Sequence, residues 1–156
     1  MNIHARHAQA LEVTLHTEIP LTRHIGIRVA EYDGTRLKLA APIERNINHK
    51  ATAFAGSLNS VVTLAGWGLI WIALREAGLQ ATIVIQDSTS HYRRPVTRDF
   101  SATCQKPGEA HMARFIQTLR GKGKARLELE AEIRENNTVA MSFQGRYVSM
   151  IHVASS

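Results

Sequence analysis

The feature that most constrains this chain is a helical periodicity with almost no polar side. Leu58, Val61, Val62, Ala65, Leu69 and Ile72 recur at three- and four-residue steps. A helix that is apolar nearly all round must be enclosed by other structure. The apolar stretch from Val61 to Leu74 is broken by Thr63, Gly66 and Gly68. It falls short of the ~20 residues that cross a bilayer, so the expected place for this helix is a protein core. Gly66 and Gly68 each cost about 1 kcal/mol relative to alanine in a helix interior. The expected compensation is close approach of a sheet to the helix backbone. Ser57 is the expected N-cap, its hydroxyl accepting an N–H of the first turn, and Gly78 is the expected C-terminal stop.

Strand patterns supply the enclosure. Ile25 to Tyr32 reads as a strand with Ile25, Ile27 and Val29 on one face. Asp33-Gly34 then predicts a tight hairpin, and Leu37, Leu39 and Ala41 alternate along its return strand up to Pro42. After the helix, Ala81 to Tyr92 forms a long strand before Pro95. Phe100, Ala102 and Cys104 mark another. Leu127, Leu129, Ala131 and Ile133 alternate with charged residues, Asn136-Asn137 reads as a turn, and Val139, Met141 and Phe143 begin the last strand. Gly145 is the expected site of a bulge. Ahead of the first strand, Ala8, Leu11, Leu15 and Ile19 suit a short amphipathic helix ended by Pro20, and roughly Ala110 to Leu119 suits a short helical or turn segment. The segment from Glu44 to Gly56 has no period and is expected to be a loop. The predicted class is α+β, about six mostly antiparallel strands wrapped around one long helix. Such a sheet keeps a free edge, which a second copy would cover.

Composition narrows the function. A length of 156 residues fits one domain over 1–156, and one cysteine, Cys104, excludes an internal disulfide framework. Cys104 shares a strand face with Phe100 and Ala102, which points to a buried structural thiol. The N-terminus carries His4, Arg6 and His7 and no apolar signal core, so a cytoplasmic location is expected and no membrane partner. His4 and His7 lack further ligands, and no metal site is expected. A formal charge of +6 favours anionic partners, either a phosphorylated cofactor such as CoA or nucleic acid, unless it is only a solvated basic surface. No aromatic residue interleaves the cluster Arg120, Lys122, Lys124 and Arg126, which argues against a nucleic-acid stacking platform.

The arrangement, together with the run Asn48-His49-Lys50-Ala51-Thr52-Ala53-Phe54-Ala55-Gly56-Ser57-Leu58, resembles the hotdog-fold thioesterases. Within them, Thr52 to Leu58, Thr63-Leu64-Ala65-Gly66-Trp67-Gly68 and His91-Tyr92-Arg93-Arg94-Pro95-Val96 resemble the branch related to the C-terminal domain of YiiD. The resemblance covers roughly Leu11 to Met150. It implies a hotdog fold, hydrolysis of acyl-CoA or acyl-carrier-protein thioesters, no cofactor beyond the substrate's own CoA moiety, and a homodimer or dimer of dimers with the site at the subunit interface. In the phenylacetyl-CoA thioesterase branch an Asn begins a loop that ends in His-Gly-Gly at the central helix, and a carboxylate further along that helix works on the nucleophilic water. Asn48 matches the Asn. Phe54, Ala55 and Gly56 stand where His-Gly-Gly would be, and Thr63 stands at the carboxylate position. Both departures fall on functional positions.

Thioester hydrolysis needs a polarised carbonyl and a positioned water. Backbone N–H groups of Gly56 and Ser57 at the helix start are the expected carbonyl donors; the alternative is that Gly56 only permits a tight turn. Asp87 falls on the strand face of Ile83 and Ile85 and is the expected inward-facing base, while a register slip of one residue would place it in solvent. Asn48 and Thr63 would orient water, or else cap the loop and pack the helix. His49 is expected beside the site, or else on the loop in solvent. Phe54, Ala55 and Tyr92 are expected substrate contacts, and either Arg93, Arg94 and Arg98 or the cluster Arg120, Lys122, Lys124 and Arg126 would hold the CoA phosphates, the alternative being solvated loop charge, the default for the second cluster. A non-catalytic acyl-thioester binding module and a hotdog dehydratase are the alternatives. The missing helix carboxylate favours the first, and the absence of a His at position 54 weakens the second.

Overall fold

The computed structural model describes residues 1–152. Its elements in chain order are α1 (Ile3–Glu18), α2 (Leu21–Ile25), β1 (Arg28–Tyr32), β2 (Arg36–Ala41), α3 (Ala55–Glu76), β3 (Thr82–Tyr92), β4 (Phe100–Gln105), α4 (Glu109–Lys122), β5 (Lys124–Glu135) and β6 (Thr138–Met150). The strands form one antiparallel sheet in the order β1-β2-β4-β5-β6-β3. The sheet wraps α3, as expected for a hotdog fold.

Burial explains the wrap. Along α3, Val61, Val62, Ala65, Ile70 and Ile72 are fully buried, and the sheet contributes Leu37, Leu39, Ala102, Ile133, Met141 and Tyr147 to the same core. By length and composition α3 is apolar enough to cross a membrane, but most of it lies inside the sheet. Both helix glycines serve close approach. A Cβ on Gly66 would stand 2.6 Å from Cζ of Tyr147, whose hydroxyl donates to the Thr63 carbonyl at 2.6 Å. A Cβ on Gly68 would meet methyls of Leu11 and Leu37 at 2.9 and 3.0 Å. The helix ends in a Schellman motif. Gly78, at φ +70°, donates to Arg75 O, and Leu79 N–H donates to Leu74 O at 2.8 Å.

The hairpin turns follow their sequence signals. At Asp33-Gly34 the aspartate Oδ1 accepts from Thr35 N–H at 2.9 Å and Arg36 N–H at 2.7 Å, with Gly34 at φ 98°. These N–H groups, that of Thr35 first, hold the Asp33 carboxyl below the ordinary aspartate range. Asn136 and Asn137 take φ of 53° and 60°, the left-handed pair of a type I′ turn. Cys104 is buried, and burial pushes its thiol up to about 12.

Several expectations are corrected. The stretch expected to open the first strand at Ile25 instead forms α2, closed by Gly26 at φ 81°; the strand starts at Arg28. Local spacing of Ile25, Ile27 and Val29 suits a strand, but Thr22, with its hydroxyl on Leu15 O and Ile19 O, pins a helical turn after Pro20. Ser57 is not the N-cap. Phe54 holds that position without a side-chain bond, and α3 begins at Ala55, three residues earlier than a Ser57 cap implies. Gly145 sits in unbroken register between β3 and β5, so it makes no bulge. Its missing side chain leaves room for the rings of Phe143 and Tyr147, each within 3.0 Å of where a Cβ would be. The β3–β6 pairing instead carries its bulge in β3, between Ile85 and Asp87, and the register also shifts between Val29 and Glu31 and between Ile133 and Arg134.

Candidate active site

The loop before α3 is held by two asparagines. Asn46, 3% exposed, donates from Nδ2 to Ile25 O at 2.9 Å and Pro42 O at 2.7 Å. Asn48 donates from Nδ2 to Thr52 Oγ1 at 2.9 Å, and its Oδ1 accepts from Lys50 N–H at 2.8 Å and Thr52 N–H at 3.2 Å. The Asn48 amide therefore organises the loop. Phe54 N–H donates to Asn46 O at 2.7 Å, and Ala53 N–H to Val96 O at 2.8 Å, which fixes where α3 starts.

At that start, Ala55 and Gly56 are exposed and their N–H groups have no hydrogen-bond partner among the described residues. Ser57 differs from expectation, because its N–H is used by Phe54 O at 3.0 Å. The free donors of the helix entrance are those of Ala55 and Gly56. The Phe54 ring folds over Gly56, where a Cβ would overlap it, yet Phe54 stays 55% exposed. Tyr92 reaches the same place from β3, its hydroxyl 3.4 Å from Ala55 O.

One turn further along α3 the helix faces an open cleft of about 380 Å³. Asn59, Ser60, Thr63 and Leu64 line one wall, and Ile85 and Ser88 of β3 line another. Ile19, Leu21, Thr22 and Ile25 close the third side, so the unexpected α2 helps to build the site. Asn59 is held across the cleft. Its Oδ1 accepts from Ser90 Oγ at 2.8 Å, which leaves its Nδ2–H groups free to donate. Ser60 Oγ donates back to Gly56 O at 2.9 Å. The Thr63 carbonyl is occupied by Tyr147, whose hydroxyl proton burial holds more tightly than usual. Among the described residues, no carboxylate, imidazole or amine lines this cleft.

Asp87 is absent from it for a physical reason. The bulge inserts one extra residue, Gln86, so Ile85 faces Tyr147 across β6 while Asp87 faces Arg146. The two-residue alternation that would have carried Asp87 inward is broken. Its carboxylate lies on the outer face, exposed, 3.4 Å from Arg146, which also holds Glu128 at 2.9 Å. Ser88 takes the inward position. His49 is exposed on the loop. Arg93 and Arg94 are exposed beyond the end of β3, with both backbone N–H groups on Ala140 O and the Arg93 Nε on Ser142 Oγ at 3.2 Å. The structure thus brings Phe54, Ala55, Gly56, Thr63 and Tyr92 to one side of the molecule and leaves Asp87 on the other. The missed residues are Asn59, Ser60, Ser88 and Ser90. Asn59 carried a readable signal, since asparagine is a poor helix former and Asn59, Ser60 and Thr63 make the one polar stripe on an apolar helix.

A six-stranded antiparallel sheet wrapped on a buried helix, with a cleft against that helix, defines a hotdog-fold protein. Residues 8–151 match the family described as "Putative thioesterase (yiiD_Cterm)", and the chain belongs to that family. A protein of unknown function from Chlorobaculum tepidum is 30% identical, with a TM-score of 0.89 over 93% of this chain and 94% of that one. A protein from Shewanella oneidensis described as a "putative thioesterase" is 28% identical, with a TM-score of 0.82 over 94% and 98%. A probable thioesterase from Pseudomonas aeruginosa, at 19% identity and TM-score 0.79 over 92% and 95%, shares the fold.

Proposed function

We propose that this chain hydrolyses an acyl thioester, carried on CoA or on an acyl carrier protein, in the cleft between α3 and β3. The observation that carries the proposal is a cleft walled by Leu21, Ile25, Leu64 and Ile85 and lined by the Asn59 amide, with the unpaired N–H groups of Ala55 and Gly56 at the helix start one turn away. The apolar wall takes the acyl chain. The donors polarise the thioester carbonyl, aided by the positive end of the α3 dipole. Water adds to the carbonyl carbon, the C–S bond breaks, and the products are the free acid and the thiol. Thr63, Ser60 and Ser88 hydrogen-bond the water, but none is basic enough to take its proton near neutral pH. Tyr92, Phe54 and Ala55 border the entrance, with His49 on the adjoining loop and Arg93 and Arg94 exposed beyond the end of β3.

A second copy of the chain belongs to this reading. β3 is a long edge strand with Val84 43% and Ile85 37% exposed beside the cleft. An unpaired edge with apolar side chains invites a second strand, and a homodimer formed there would close the cleft. The lack of a titratable group in the cleft favours one alternative, a binding module that holds acyl thioesters without turning them over.

The test is free-thiol release from acyl-CoA esters, acetyl to palmitoyl, by wild type and Asn59→Ala. Turnover falling about 10²-fold or more in the variant is expected for the loss of a preorganised donor. Tight acyl-CoA binding with no thiol release would replace the hydrolase with the binding module.

A further inference from the structure

The single turn of α2 is a partition. Leu21, Thr22 and Ile25 face the cleft, while Arg23, with Gly26 just after the helix, borders a second cavity of about 720 Å³ on the other side. That cavity is a basin in the outer face of the sheet near its β1 end. The sheet face lines it with the small residues Ala30, Ala40 and Ser101, beside Ile27, Pro42 and Phe100. Its rim carries Arg23, Arg28, Lys38, Arg45 and Arg134. Two carboxylates also border it, Glu44 and Asp99, and Asp99 is engaged by the Ile43 N–H at 2.9 Å. Two of the cations have partners, Lys38 with Glu31 at 3.9 Å and Arg134 with Glu132 at 2.6 Å. Arg23, Arg28 and Arg45 form no ion pair among the described residues. Arg45 is oriented at the rim by a hydrogen bond from Nη1 to Arg23 O at 3.2 Å.

We propose that this basin seats the phosphorylated end of the substrate's pantetheine arm, with the arm passing over α2 and the thioester in the cleft beyond. The inference rests on the reading of the cleft as a thioester site. Guanidinium groups without counter-ions around a concave floor bind phosphate by paired, charge-assisted hydrogen bonds. The small side chains of Ala30, Ala40 and Ser101 leave room on the sheet face where larger ones would fill it. A helix with its side chains is about 10–12 Å across, and the extended pantetheine chain with its two amide units covers that span. The shared wall explains why one substrate would need both cavities.

The experiment compares kcat/KM for three octanoyl esters: pantetheine, which has no phosphate; 4′-phosphopantetheine, which has the phosphate a carrier protein shares; and CoA. Wild type is set against Arg23→Glu, Arg28→Glu and Arg45→Glu, with Arg93→Glu/Arg94→Glu in parallel and free-CoA binding measured by calorimetry. The expected result is a preference of at least about tenfold for phosphorylated esters, lost by about tenfold for each reversed basin guanidinium and weakened by salt. A preference already present with 4′-phosphopantetheine assigns the basin to the phosphate common to both carriers; one present only with CoA assigns it to the nucleotide phosphates. Equal kcat/KM for the three esters would overturn the proposal, as would a preference lost only in the Arg93/Arg94 variant. If no ester is hydrolysed but free CoA binds and the basin variants weaken that binding, the hydrolase reading falls and the basin stands. Absent CoA binding, or binding that those variants leave intact, overturns the basin itself.

Discussion

Gly66→Ala tests whether α3 and the sheet meet as closely as the packing requires. The added methyl would stand 2.6 Å from Cζ and 2.8 Å from Cε2 of Tyr147, a fully buried ring that cannot swing into solvent. Forcing such a contact costs about 2 kcal/mol by the range seen for overpacked cores. Moving the ring also lengthens its 2.6 Å hydrogen bond to Thr63 O, worth about 1 kcal/mol net. Alanine returns about 1 kcal/mol of helix propensity. The net expectation is a loss of about 2 kcal/mol, and for a domain of this size a Tm lower by about 4–8 °C. Calorimetry or circular dichroism measures it directly. A double variant adds a sharper criterion. Tyr147→Phe removes the hydroxyl that the new methyl meets first, so Gly66→Ala/Tyr147→Phe should be less destabilised than the two single losses together. Strictly additive losses, or a Gly66→Ala protein as stable as wild type, would refute the close approach.

The other expectations are briefer. Asn59→Ala should lose about 10²-fold or more in turnover while keeping its fold, because Asn59 is partly exposed at the cleft and packs no core. Asp87→Ala should keep turnover within about twofold and stability within about 1 kcal/mol, as for an exposed ion pair; a collapse of turnover would restore the carboxylate to the chemistry. Asp33→Ala should be less stable than wild type at pH 7, where the wild-type carboxylate is charged and bound by Thr35 and Arg36. Because the folded protein lowers this carboxyl's pKa, its contribution is present above the unfolded value and disappears as pH falls through the folded one. Denaturant midpoints of the two proteins should therefore converge as the pH is lowered until the folded carboxyl is protonated. Cys104, buried and with its thiol pushed up to about 12, should resist aromatic disulfide reagents at about pH 8 until the chain unfolds.

Much of the fold was legible because it is written locally. The apolar periodicity of α3 demanded enclosure, the two-residue alternation of β2, β4 and β5 supplied it, and Asp33-Gly34 and Asn136-Asn137 marked their turns by chemistry that acts within four residues. The helix entrance at Ala55 and Gly56 was legible too, within three residues. The side chains that complete the cleft were less so. Asn59 and Ser90 are 31 positions apart and meet only because β3 lies beside α3. α2 depends on Thr22 bonding back to the carbonyls of Leu15 in α1 and Ile19 just after it, and on its own burial, a tertiary influence that the spacing of Ile25, Ile27 and Val29 does not carry.

Asp87 marks the boundary between the two kinds of information most clearly. Its neighbours Ile83 and Ile85 alternate as an inward face should, and nothing within the strand's own sequence announces an extra residue at Gln86. The bulge is a property of the pairing with β6, where Ile85 stays opposite the buried Tyr147 and Asp87 moves opposite Arg146. The sequence by itself determined that a buried helix would be wrapped by an antiparallel sheet, because periodicity and turn chemistry are local. Only the tertiary structure decided which polar groups share the cleft and which lie behind the sheet, because one residue of register, set by a partner strand, turns a side chain from one face to the other.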